Sequence, residues 1–83
     1  MKTLQGTEKQ IKWAESIREK VISYYNESLT KAINEQAAEK IAALFDKYIF
    51  GNANAGWWID HRFELESWRA TIDYIDYCMK NNK

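Results

Sequence analysis

The side chains able to do covalent or acid–base chemistry are few, and their spacing does not suit it. His61 is the single histidine and Cys78 the single cysteine. An imidazole-activated nucleophile needs a serine or thiol held against the ring, and no nucleophile-elbow pattern accompanies His61. A His/Cys metal site needs further ligands of the same kind, which the chain does not supply. Asp60, Glu64 and Glu66 flank the histidine, and on a helix Asp60 and Glu64 share a face, but neither a calcium-loop nor a glycosidase-like spacing is present. Glu64 and Glu66 read as solvated surface, Asp60 as the exception with a structural partner, and His61 as a buried, hydrogen-bonded structural residue. Gly6, Gly51 and Gly56 follow no predicted strand, and no Gly-Lys-Ser/Thr run marks a phosphate loop. The expectation is therefore a non-enzymatic chain without metal or cofactor.

The elements that would position these residues are helical. At 83 residues there is room for one domain, which buries only about 60% of its unfolded surface. One cysteine cannot form an intrachain disulfide, so stability must come from packing or self-association. Four Trp, five Tyr and three Phe supply large apolar area for the first of these. Twelve basic and twelve acidic residues cancel, which disfavours non-specific nucleic-acid binding. No apolar run approaches the length that spans a bilayer, and no signal-peptide core stands at the N-terminus, so no membrane partner and a cytoplasmic setting are expected.

Thr7-Glu8-Lys9-Gln10 has capping-box spacing and predicts a helix from residue 8 to about 26, with Ile11, Ala14, Ile17, Val21, Ile22 and Tyr25 on one arc. Residues 27–34 are ambiguous between continuation and a turn. A second helix is predicted over 34–50, ended by Gly51 in a left-handed cap. After the loop 52–56, capped by Asn52 or Asn54, a third is predicted over 57–80. Trp58, Leu65, Ile72 and Met79 recur there every seven residues, with Trp68 and Ile75 between them. The fold class is all-α: a three-helix bundle with an aromatic-rich core, or four helices if the last is kinked near residues 60–63.

Two features of this arrangement stand out. Arg18 falls on the apolar arc of the first helix and requires an anionic partner there, for which Asp60 is the candidate. The third helix also carries a second apolar stripe, Ile59, Phe63, Ala70, Tyr74 and Tyr77, roughly opposite the first. Trp13 and Tyr24 widen the arc of the first helix in a milder way. Tyr and Trp on exposed faces are enriched at protein contacts, so Ile59, Phe63, Tyr74, Tyr77, Trp13 and Tyr24 form the expected partner-binding set. Trp58, Trp68, Arg18, Asp60 and His61 are expected to be structural. The alternative to a partner surface is a helix break that folds both stripes inward.

The segment Leu4-Gln5-Gly6-Thr7-Glu8-Lys9-Gln10-Ile11-Lys12-Trp13-Ala14-Glu15-Ser16-Ile17-Arg18, followed by Trp57-Trp58-Ile59-Asp60-His61-Arg62, resembles a family of small proteins of phages and other bacterial mobile elements. The resemblance implies a genomic setting and no particular activity. In that setting small proteins often bind host machinery, including defence systems, which is an argument by association. The function expected is a protein-binding module that sequesters or inhibits a host component, its partner a host protein or a second copy in a homodimer. One alternative is a nucleic-acid accessory protein using the basic N-terminal helix, where Lys2, Lys9, Lys12, Arg18 and Lys20 outnumber Glu8, Glu15 and Glu19. Another is small-ligand capture by a helical oligomer.

Overall fold

The computed structural model describes residues 3–81 and is all-α. Helix α1, Glu8–Thr30, begins where the capping box places it. The Gln10 amide donates to Thr7 Oγ1 (3.2 Å) and the Thr7 amide to Gln10 Oε1 (3.0 Å), which satisfies two otherwise orphaned backbone donors. The ambiguous segment resolves as a longer helix: α1 runs past Asn26 to Thr30 before a turn over residues 31–34. Asn34 then caps α2, Glu35–Phe45, by accepting from the Ala37 amide at 2.8 Å.

Asp46–Phe50 continues α2 as a single wide π turn, closed by the Gly51 amide on the Asp46 carbonyl (2.9 Å). The left-handed cap expected at Gly51 is not what forms. Its φ of −69° and ψ of −11° are right-handed. Glycine is needed there for space, because a Cβ would stand 2.9 Å from the Asp46 carbonyl oxygen. Asn52 does not cap the next helix. Its side-chain amide donates back to the Tyr48 and Ile49 carbonyls (3.2 and 2.9 Å), sealing the C-terminal end of the turn. Asn54 is the cap of α3, Ala55–Asp60, accepting from the Gly56 amide at 2.7 Å.

The continuous helix predicted over 57–80 is corrected in favour of the kinked, four-helix alternative: the chain breaks at residues 61–67 and restarts as α4, Trp68–Asn81. Ser67 caps the restart, its Oγ accepting from the Ala70 amide at 3.1 Å. The break lets Trp58 and Leu65 both enter the core, at 0% and 1% exposure, from different directions. A straight helix would instead have aligned them with Ile72 and Met79, yet Met79 is 39% exposed.

Helix α1 packs on α2, α3 and α4, most extensively on α3, through buried Ala14, Ile17 and Val21. Against these lie Phe45, Ile49 and Phe50 of the α2 region, with Trp58, Leu65 and Ile75. The aromatic rings form one row through the molecule. Tyr25 meets Phe45 and Phe50 edge-on (5.2 and 5.5 Å), Phe50 stacks on Trp58 (6.3 Å), and Trp57 closes edge-on against Trp58 (5.3 Å).

The chain ahead of α1 is strapped to the loop before α3. The Gln5 amide donates to the Ala53 carbonyl (2.7 Å) and the Ala55 amide to the Gln5 carbonyl (2.8 Å), a one-residue parallel bridge between Gln5 and Asn54. Leu4 is buried beneath it. Gly6 makes the turn into α1 at a φ of +153°, where a Cβ would also lie 3.1 Å from Ala55 Cβ. Gly6→Ala is expected to leave a helical protein that is less stable by about 1–3 kcal/mol. Urea denaturation checks this, and an unchanged midpoint would remove the strap from the account.

A candidate protein-binding surface

The six residues expected to meet a partner separate into three groups. Ile59 and Tyr74 turn inward, half-buried against the core. The break between α3 and α4 ends the stripe that would have exposed them together. Tyr77 stays 63% exposed and lines an open hollow with Lys47, Tyr48, Cys78 and Asn81. The other three lie where α1 faces residues 61–67: Trp13 and Phe63 both meet Arg62, and Tyr24 reaches the same link farther along α1.

This third group is built from the core outward. Leu65 is inserted beside α1, and the Tyr24 hydroxyl donates to the Glu66 carbonyl (3.0 Å), so the link is anchored at two adjacent residues. With Leu65 pointing in, Phe63 is left outside, 67% exposed, while Trp13 on α1 is 49% exposed. Arg62 connects them. Its guanidinium carbon lies 5.2 Å from the Trp13 ring centre and 4.6 Å from that of Phe63. One guanidinium nitrogen, Nη1, donates to the Ile59 carbonyl at 2.7 Å, which fixes the side chain at the end of α3. A hollow of about 220 Å³ beside them is lined by Trp13, Ile17, Lys20, Arg62, Phe63, Leu65 and Glu66. Trp and Arg are among the residue types that dominate protein-binding energy, and Phe is enriched at interfaces.

The structural residues fall as follows. Trp58 is fully buried and its indole N–H donates to the Asn52 carbonyl (3.0 Å). Trp68 is half-buried and donates to Ser28 Oγ (2.8 Å), joining α4 to α1. Lys31 lies over its ring at 4.5 Å, on one side of a groove of about 440 Å³ floored by Ile41, Leu44 and Ile72. The Arg18–Asp60 pair is not formed among the described ion pairs. Asp60 is exposed at the end of α3, so it is no buried counter-charge, and Arg18 is half-buried with interactions of its own.

His61 is half-buried, not fully enclosed as expected. Its Nδ1 donates to the Trp57 carbonyl (2.8 Å), and its ring stacks on Trp57 (4.3 Å) and meets Tyr74 edge-on (5.6 Å). Among the described residues no hydrogen bond joins His61 to a nucleophile or carboxylate, and no group of three or more His, Cys, Asp or Glu could hold a metal ion. Lys2, part of the basic N-terminal cluster, lies outside the described residues; the rest of α1 interleaves its lysines with Glu8, Glu15 and Glu19.

The Tyr74 phenol is held well above the ordinary tyrosine range, first by burial, then by its hydrogen bond with the Cys78 side chain and by the nearby Glu64. The sign of the linkage follows. The unfolded tyrosine ionises near pH ~10, while the folded one keeps its proton, so stability present below that pH is lost as pH rises further. Denaturation midpoints should therefore fall more steeply at alkaline pH in the wild type than in Tyr74→Phe. Parallel alkaline profiles would show that the phenol is free to ionise in the fold.

No protein-family model matches the chain, and no curated protein or solved structure is significantly similar to it.

Proposed function

We propose that this chain is a non-enzymatic protein-binding module whose contact surface is centred on Trp13, Arg62 and Phe63. The observation that carries the reading is the guanidinium of Arg62 held against two rings, a half-exposed indole (Trp13, 49%) and a largely exposed phenyl (Phe63, 67%). Core packing accounts for most of the other aromatic residues, but neither of these two rings belongs to the core cluster. A surface of this kind supplies the rigid, amphipathic anchors around which interfaces concentrate their affinity.

The resemblance to small phage and mobile-element proteins supports a host protein as the partner, and sequestration or inhibition as the outcome. The two segments that carry that resemblance, 4–18 and 57–62, fall on elements that pack together, α1 and α3 with its following link, and they contribute Trp13 and Arg62. The balanced charge and mixed-sign α1 favour a protein partner over a nucleic-acid one.

Capture of host proteins on immobilised wild type, compared with Trp13→Ala and Phe63→Ala, tests the reading. Both positions are exposed, so each variant should keep its helical spectrum and melting point within about 0.5 kcal/mol. Each should weaken the captured complex by about 2 kcal/mol or more, roughly thirty-fold in affinity. Capture that survives both substitutions unchanged would move the interface off this surface.

A further inference from the structure

Resting on that reading, we infer that the Trp13–Arg62–Phe63 surface recognises an acidic segment of its partner, with a carboxylate seated on the Arg62 guanidinium and an adjacent apolar side chain laid on the two rings.

The four described ion pairs, Lys12–Glu8, Lys31–Glu27, Arg69–Asp73 and Lys80–Asp76, all join residues four apart in the chain, and none uses Arg62. A guanidinium carries five N–H donors, and the Ile59 carbonyl takes one bond from this one. Glu66 lines the same hollow without reaching ion-pair distance of it. A half-buried arginine is thus pinned by its own helix end, shielded on two sides by rings and left with unfilled donors at the surface. Such an arginine has already lost most of its rotamer freedom, and the planar fork matches a carboxylate in bidentate geometry.

Charge complementarity selects the occupant further. Lys20 lines the hollow beside Arg62, so two cations face one carboxylate, Glu66, and the pocket favours one added negative group. A polyanion fits poorly, because Glu64 and Glu66 are exposed on the same link and would meet its neighbouring charges. A single aspartate or glutamate flanked by an apolar residue satisfies both the fork and the rings. A second copy of this chain would have to present its own acidic link, and like charges at residues 60–66 would then confront each other across the axis.

A displayed library of random short peptides, selected on the folded protein, tests this without knowledge of the natural partner. The selected peptides should share an Asp or Glu next to an aromatic or aliphatic residue. Changing that acid to its amide in a synthetic peptide should weaken binding about ten-fold or more, and added salt should weaken the acidic peptide more than the amide. Arg62→Met, which keeps the stem against the rings, should give the same loss, and Arg62→Lys should recover only part of it. Because the amide peptide tests the fork on unaltered protein, a destabilised Arg62 variant would not obscure the result. Peptides without an acid that are lost on Phe63→Glu but not on Arg62→Met would overturn the acidic inference while leaving the surface in place. Peptides indifferent to both Phe63→Glu and Trp13→Ala would overturn the surface itself. Concentration-dependent dimers that exclude the acidic peptide would make a second copy the occupant and likewise overturn the inference.

Discussion

The burial of Trp58 is the constraint from which most of the remaining geometry follows. Helix α3 has six residues, far too few to be stable as an isolated helix, and it persists because this indole is wholly enclosed. Enclosing an indole obliges its N–H to find an acceptor, and the Asn52 carbonyl provides one at 3.0 Å. Asn52 in turn is held by its own side chain on the last carbonyls of the π turn. The ring therefore fixes the end of the α2 region, the loop and α3 as one unit, with Phe50 stacked on one side and Trp57 edge-on at the other.

The proposed surface inherits its rigidity from that unit. Arg62 is attached to the end of α3 by the Ile59 carbonyl, and Leu65 and Tyr24 fasten the link a few residues later. Along the link Leu65 is the one apolar residue taken into the core, while Phe63, two residues earlier, is turned to solvent. A link held in this way presents its exposed rings with little conformational freedom left to lose on association.

Much of the fold is readable from the chain because the signals are local. The capping box at Thr7, the Asn54 cap and the apolar arc of α1 each depend on residues within one or two turns. The break at 61–67 is harder to see, since no Gly or Pro marks it and Leu65 preserves a seven-residue spacing with Trp58 and Ile72. The available hint was Ser67, a hydroxyl just ahead of a renewed apolar period, which caps α4. Read without that cap, two helices become one and Ile59, Phe63, Tyr74 and Tyr77 a continuous stripe; the kinked alternative near residues 60–63 is the one the structure adopts. Trp13 and Phe63 were both identified as candidates, but their meeting across α1 and the link is non-local, and Arg62 between them was overlooked because a helical wheel shows nothing of what one helix receives from another.

The strap from Gln5 to the loop before α3 bears on the order in which the molecule assembles. Its two backbone bonds close a loop of about 50 residues, which costs on the order of 3–4 kcal/mol in chain entropy. Two hydrogen bonds worth about 1 kcal/mol each do not offset that cost by themselves. The docking of α1 on α3 must shorten the effective loop first, after which burial of Leu4 makes closure favourable. The strap is thus a late contact, laid over a core that has already formed, and fraying of the native state should begin there. In native-state hydrogen exchange the Gln5 and Ala55 amides would open ahead of those in the middle of α1, as a separate unit.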